Sequence, residues 1–367
     1  MIEFFAFIRL IITEASIMIK TSNIEVVTII LVGAMMTVYA NDETRALSFI
    51  QGNLKADGPY TTELLSGGLS GSTLIKINTA ENIFVVRFWN MEWVEDFPQD
   101  LACQLIASDA GYGPLVFFTD EAACITVIEY IQPEVFPETK IRFQGLVQLL
   151  KKIHSGPAVP QGIDKASYIE ESIDTVSKLN LPFLDINAIR AIKEAVYKAT
   201  QQNTRSAACH RDLHPGNLIY NQGRFVAIDY TWGGMDDPFI DLATLAIFNC
   251  TTFEEEQLLL QLYLGDAPSS EDIARLSLVK LAAKIFYGLE FLKLTPVSAL
   301  NSTISEATKS YMNFGGHGTP QNPSDFLEYA ISLLSEVVEY SRTEQYSKDL
   351  ILIQNAPKIN LRPPIEF

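Results

Sequence analysis

The chain has 367 residues, 48% of them hydrophobic and 19% charged, which is the composition of a globular protein with room for one large domain or two modest lobes. Its formal net charge is -17, with 44 Asp and Glu against 27 Lys and Arg. That balance excludes the basic footprint of a nucleic-acid binder; it favours a cationic over an anionic small partner, although solubility is the plainer use of such charge. The first forty residues stand apart. "VVTIILVGAMMTVYA" (26–40) is apolar, ends in a small residue and precedes "NDE", with Val38 and Ala40 placed to suit a signal peptidase. It reads as a signal, a membrane anchor, or a packed helix behind a mis-called start, and it is short for a spanning helix. "NDETRALSFIQGNL" then predicts a short helix. "LLSGGLSGSTLIKI" (64–77) is a glycine-rich turn running into alternating apolar residues, and "NIFVVRFW" (82–89) is a strand by its β-branched and aromatic content. Phe97, Leu101, Leu105 and Ile106 recur at helical spacing, and Gly111, Gly113 and Pro114 end that helix. "LVFFTDEAACITVIEYI" predicts two strands joined by an acidic turn.

After "QPEVFPET" the pattern turns helical. "FQGLVQLLKKIHSG" carries Leu146, Leu149, Leu150 and Ile153 on one face, and residues 187–201 form another helix. "CHRDLHPGNLIY" (209–220), the turn "NQG" and "RFVAIDY" read as a loop followed by a short hairpin. Helices are expected at 238–249, 253–264, 271–293 and 324–342, and the proline-bearing tail "APKINLRPPIEF" is expected to be extended. The expected organisation is therefore an apolar segment 1–40, a β-rich lobe 41–131 and a helical lobe 132–367. Cys103, Cys124, Cys209 and Cys250 have neither CxxC nor zinc spacing and lie in apolar surroundings, so buried thiols in the cytoplasm are expected. Residues 1–40 supply a membrane tether if they are an anchor.

Phosphoryl transfer needs a cover for phosphates, a cation on a strand, a carboxylate beside the attacking hydroxyl and oxygen ligands for Mg²⁺. The chain offers these in order. Asp212 is the candidate base, since a carboxylate accepts and orients a hydroxyl proton. Asn217, five residues on, offers a hard neutral oxygen to Mg²⁺, and Asp229 at the end of the hairpin offers a second. Pro215 and Gly216 allow the tight bend between them. "HRDLHPGN" followed by "IDY" matches the catalytic-loop and metal-aspartate pattern of kinases, with His210 and Arg211 in support. Gly67, Gly68, Ser70, Gly71 and Ser72 would cover ATP phosphates through backbone N–H groups. Arg87 stands where a kinase has its strand cation, and its expected partner is Asp100 first and Glu95 second.

On these motifs the chain resembles the aminoglycoside phosphotransferase and choline kinase family over roughly residues 60–300. "CHRDLHPGNLIY" with "FVAIDYTWGGMDDPFIDLATLAIF" resembles that family's catalytic loop and metal segment, "GGLSGST" its glycine turn, and "LVQLLKKIHSG" its helix ending in Leu-His. The resemblance implies an α+β, protein-kinase-like two-lobe fold with a small β-rich N-lobe and a larger helical C-lobe. It implies ATP and Mg²⁺ as cofactors, with Arg87 on the ATP phosphates. Residues 128–131, including Glu129 and Ile131, would hold adenine through backbone groups. Asp241 would stabilise the site from a helix start. The choline kinase branch is nearest, and the acceptor implied is a small hydroxyl compound, cationic in that branch. Trp232 and Tyr287 are the aromatic residues singled out to hold it, with Phe286 and Phe291 close by. Two departures bear on choline itself: Thr231 replaces an acid common in that branch, and the later helix lacks its tryptophans. A nucleotide-binding pseudokinase and a protein kinase are the competing readings. The chain has no DFG and no APE segment, which speaks against the second.

Overall fold

The computed structural model describes residues 42–54, 58–65, 72–201, 206–296, 299–300 and 323–356. The segment 1–40, the glycine-turn residues Gly67, Gly68, Ser70 and Gly71, and the proline-bearing tail beyond Ala356 lie outside the described residues. Among the described residues no helix is long and apolar enough to cross a membrane. The chain divides into two compact units, Met1–Leu101 with Pro114–Ile131, and Ala102–Gly113 with Gln132–Phe367.

The first unit is built on a five-stranded antiparallel sheet. Its strands are β1 (Thr61–Leu65), β2 (Thr73–Asn78), β3 (Ile83–Phe88), β4 (Val116–Asp120) and β5 (Ile125–Glu129), in the order β1-β2-β3-β5-β4. β2 alternates, burying Ile75 and Ile77 on one face; β3, flanked on both sides, buries almost all its side chains. Helix α1 (42–54) brings Ala46 and Ile50, one turn apart, into the same core as Ile75, Ile77, Phe84, Val86, Ile125 and Val127. Each such aliphatic contributes about 1.5–3 kcal/mol of burial. A register shift in β4 between Val116 and Phe118 lets its end follow β5. Trp89, Phe97, Leu101 and Cys124 form a second small core, with Trp89 edge-on to Phe97 at 5.4 Å.

The second unit is mostly helical. Helix α2 (Phe97–Asp109), which belongs to the first unit up to Leu101 and to the second from Ala102, is followed by α3 (Thr139–Ser155), α4 (Lys165–Ser177), α5 (Ile186–Thr200), α6 (Phe239–Asn249), α7 (Phe253–Leu264), α8 (Ser270–Leu294), α9 (Pro323–Ser341) and α10 (Glu344–Asn355). Their starts follow side-chain chemistry: Asp164, Asp185 and Thr252 cap α4, α5 and α7, and Ser269 with Asp272 makes a capping box on α8. Helix α8 is the axis of the unit. It is apolar on most of its circumference and packs against α4, α5, α6, α9 and α10. Gly288 lets α9 approach, since a Cβ there would lie 2.6 Å from Leu334 Cγ.

Two short ribbons carry the loop that the sequence singled out. β6 (Ala207–Cys209) pairs with β9 (Gly234–Asp236), and β7 (Leu218–Asn221) pairs with β8 (Arg224–Ala227). The β7–β8 turn has positive φ at both central residues, Gln222 (49°) and Gly223 (80°), the twist a two-residue hairpin needs. Helix α4, helix α10 and the β6–β9 pair have no counterpart in the sequence reading. β8 stops at Ala227, so Asp229 lies beyond the strand it was expected to end.

Candidate active site

β6 delivers the chain to a turn at Arg211. Arg211 is left-handed (φ 68°), which costs a non-glycine residue free energy. The compensation comes from Asp241 in the first turn of α6. Its fully buried carboxylate accepts the backbone N–H of His210 (2.9 Å) and of Arg211 (2.6 Å), and lies 3.0 Å from His154 Nε2. Burial pushes the Asp241 pKa up, but hydrogen bonding and charge from His154, with help from His210, outweigh it, so the group sits below its ordinary value. His154 is fixed in turn by Tyr263 Oη at 2.8 Å from Nδ1. The Arg211 side chain is buried, ion-pairs with Asp236 (2.8 Å) and donates to the carbonyl of Ile163. His210 packs on Tyr230 at 4.8 Å and contacts the Ile228 carbonyl at 3.0 Å.

On this foundation stand Asp212 and Asn217. Asn217 Nδ2 donates both to the Asp212 carbonyl (2.9 Å) and to Asp212 Oδ2 (3.0 Å), while Tyr287 Oη donates to Asp212 Oδ1 at 2.6 Å. The carboxylate is thus oriented by one donor on each oxygen, and each oxygen keeps a further lone pair for another donor. Tyr287 stays a donor, because burial first, and then the charge of Asp212, hold its hydroxyl pKa well above the usual value. His214 Nδ1 accepts the Gly216 N–H (3.0 Å), and Nε2 lies 3.8 Å from Asp212 Oδ2. Burial lowers the His214 pKa against the pull of Asp212 and Asp229, so the ring is neutral near pH 7.

With its amide nitrogen committed twice to Asp212, Asn217 turns Oδ1 to its other side. The Ile228 N–H donates to the Asn217 carbonyl at 3.0 Å, one step beyond the Leu218–Ala227 pair, which brings Asp229 next to Asn217. Asp229 is left-handed (φ 62°), and Thr231 Oγ1 donates to its Oδ1 at 2.7 Å. A carboxamide oxygen and a carboxylate are the hard donors that a divalent cation such as Mg²⁺ takes. Another trio, His154, Cys209 and Asp241, brings its ligand atoms within 4.8 Å of one another. Those atoms are already used: His154 bonds Tyr263 and Asp241, and the Cys209 thiol faces the Asp236 carbonyl. Burial also holds Cys209 protonated, which makes it a poor ligand.

In the first unit Arg87 Nη1 lies 3.3 Å from Asp100 Oδ2, both buried, and the guanidinium stacks 4.4 Å from the Trp89 ring centroid. Glu95, the second choice of partner, is exposed. The Glu129 N–H donates to the Leu115 carbonyl (2.8 Å) and its carboxylate accepts the Leu115 N–H (3.3 Å); Ile131 is buried and Ser72 half-buried.

The aromatic residues expected to hold an acceptor are engaged by the protein itself. Tyr287 is buried with its hydroxyl on Asp212, and Trp232 is edge-on to Phe286 at 4.9 Å and to Tyr168 at 4.8 Å. Lys165 Nζ lies 3.9 Å from the Phe286 centroid and 5.1 Å from that of Trp232. The acids nearby are also paired: Asp236 with Arg211, Asp237 with Arg275 (2.5 Å), and Asp241 as above. Sequence reasoning missed Lys165. Its only signal was a helix-start pattern, Asp164 before a run with apolar residues at 169, 173 and 176.

A five-stranded antiparallel sheet followed by a helical unit, with an aspartate-asparagine loop and a second aspartate after a hairpin, is the protein-kinase-like arrangement of small-molecule phosphotransferases. The chain belongs to the phosphotransferase enzyme family, which its residues 61–276 match. Among solved structures, a choline/ethanolamine kinase family protein from Mesorhizobium loti is similar at 20% identity and TM-score 0.64, covering 86% of this chain and 99% of that one. The choline kinase LicA from Streptococcus pneumoniae is similar at 20% identity and TM-score 0.56, covering 80% and 99%. A spectinomycin phosphotransferase is similar at 14% identity and TM-score 0.55, covering 82% and 98%. No curated protein matches the sequence.

Proposed function

We propose that this phosphotransferase uses ATP and Mg²⁺ to phosphorylate the hydroxyl of a small amine-bearing alcohol, with Asp212 as the base. The observation that carries the reading is the two-sided hold on Asp212, by Asn217 on Oδ2 and Tyr287 on Oδ1. It aims a carboxylate without neutralising it, as an acceptor of a hydroxyl proton requires. In the proposed reaction the acceptor hydroxyl donates to Asp212. Its oxygen bonds to the γ-phosphorus, the bond from that phosphorus to the β–γ bridging oxygen breaks, ADP leaves, and the hydroxyl proton passes to Asp212. Asn217 Oδ1 and Asp229 would hold Mg²⁺, whose chemistry is to offset charge on the phosphate oxygens. Asp241 and His210 keep the loop in shape. Arg87, held by Asp100, contacts the ATP phosphates, together with the turn that includes Ser72, and the backbone near Glu129 and Ile131 holds the base. The similar spectinomycin phosphotransferase was solved with ADP and LicA with AMP, which supports an adenine nucleotide here. The net charge of -17 and the similarity to choline and ethanolamine kinases support an amine-bearing acceptor.

Asp212→Asn tests this reading. Transfer of labelled γ-phosphate to ethanolamine, choline, kanamycin and a neutral sugar is measured beside nucleotide binding by calorimetry. Turnover falls by about 10²–10⁴-fold while nucleotide binding persists. Undiminished turnover in the variant overturns the assignment of the base. Nucleotide binding by the wild type with no transfer to any alcohol makes the chain a binding module instead.

A further inference from the structure

Lys165 is a cation in an unfavourable place. It is the first residue of α4, where the helix dipole is positive, and its side chain is buried. What holds it is specific. Nζ donates to the Arg211 carbonyl at 2.6 Å and lies 3.9 Å from the Phe286 centroid and 5.1 Å from the Trp232 centroid. The two rings stand at 81° to each other, and Tyr168 packs edge-on against Trp232 at 77°. One ammonium against two aromatic faces is the arrangement by which proteins bind ligand cations. Here the chain supplies the cation. This cage adjoins the base on both sides, because Arg211 precedes Asp212 and Phe286 precedes Tyr287, whose hydroxyl binds Asp212.

We propose that Lys165 is a built-in ammonium that fills the aromatic cage beside Asp212 and thereby sets acceptor specificity against quaternary ammonium alcohols. The proposal rests on Asp212 being the base. A quaternary ammonium has no N–H and depends on aromatic faces, which Lys165 already covers. A primary or secondary amine carries donors and is recognised by carboxylates and carbonyls, which do not require those faces. The acceptor is therefore a primary or secondary amine alcohol, and successive N-methylation of ethanolamine to choline weakens it as a substrate.

The test uses Lys165→Ala and Lys165→Met of the full chain. Thermal unfolding is followed in methylammonium chloride and tetramethylammonium chloride, with sodium chloride at equal ionic strength as reference. Lys165→Ala leaves the cage empty, so the organic cations raise its melting temperature saturably above the sodium chloride value. Lys165→Met fills the space without charge and shows no such rise, and neither does the wild type. An alanine variant indifferent to both cations overturns the proposal. So does saturable stabilisation of the wild type by tetramethylammonium, a measurement that holds even if the alanine variant does not fold. These readouts need no turnover, so their failure is separable from failure of the Asp212 assignment. In activity, wild-type kcat/KM falls at least about tenfold from ethanolamine to choline, the size of a lost cation–π contact or two. Equal use of the two overturns the specificity.

Discussion

At the scale of single residues, the second unit stores charge where water does not reach, and Lys165 shows what this does to stability. Burial, and after it the charge of Arg211, lowers its pKa to about 8 against the pull of Asp212, Asp236 and Asp241. A base whose folded pKa lies below its unfolded value of 10.5 binds more protons unfolded than folded between those two pH values. Unfolding free energy from this group therefore rises with pH from about 8 to 10.5 and is flat below 8. Lys165→Met removes the titration. The stability of wild type relative to that variant should climb by on the order of 3 kcal/mol across the window, read from urea unfolding at a series of pH values. A flat difference would mean that burial does not lower the Lys165 pKa in the folded chain. The residue was illegible in the sequence because a lysine after an N-cap aspartate ordinarily points to solvent. Asp212 and Asn217 were legible because their spacing is local. The hydroxyl of Tyr287 on Asp212 was not, since it joins residues 75 apart in the chain.

At the scale of elements, helix α6 and the loop after β6 form one device. Asp241, at the positive end of α6, replaces water for two backbone N–H groups and for His154, and so pins the left-handed Arg211 on which Asp212 depends. Asp241→Ala leaves these donors buried without an acceptor. The expected loss is about 3–5 kcal/mol in denaturant unfolding, with turnover lost together with stability. The sign in pH follows from its lowered pKa: its contribution is present above the unfolded value of 3.8 and is lost as pH falls through the lower folded value. The variant should thus unfold in acid with a shallower slope below pH 3.8 than wild type. An unchanged slope would remove Asp241 as an ionised anchor. The β7–β8 hairpin could be read from "NQG" between two apolar runs, and the long helices from their spacing. The β6–β9 pair could not, because three residues bonded across an interval of about 25 leave no local periodicity. Helix α4 was missed because it buries only a narrow stripe, Ile169, Ser172, Ile173 and Val176, beyond Lys165 itself.

At the scale of the whole molecule, the acids that the sequence placed near the site turn out to be paired, so local carboxylates give less support for a cationic acceptor than their number suggested. Asp236, Asp237 and Asp241 answer Arg211, Arg275 and His154. What remains is the summed field of a chain with net charge -17. Such a field acts at a distance, raises the encounter rate of a cation and is screened within about 8–10 Å at ordinary ionic strength. It predicts a salt dependence that contact recognition alone does not. For an amine-bearing acceptor such as ethanolamine or kanamycin, kcat/KM should fall about three- to tenfold as sodium chloride rises from roughly 20 to 300 mM, at saturating nucleotide and Mg²⁺. For a neutral sugar alcohol that turns over, it should stay level. Kanamycin, with several ammonium groups, should respond more steeply than ethanolamine with one, because the interaction scales with ligand charge. Steady-state kinetics along a salt series decides the matter. Equal slopes for charged and neutral acceptors would assign the excess of 44 acidic over 27 basic residues to solubility and leave acceptor choice to short-range contacts such as those around Lys165.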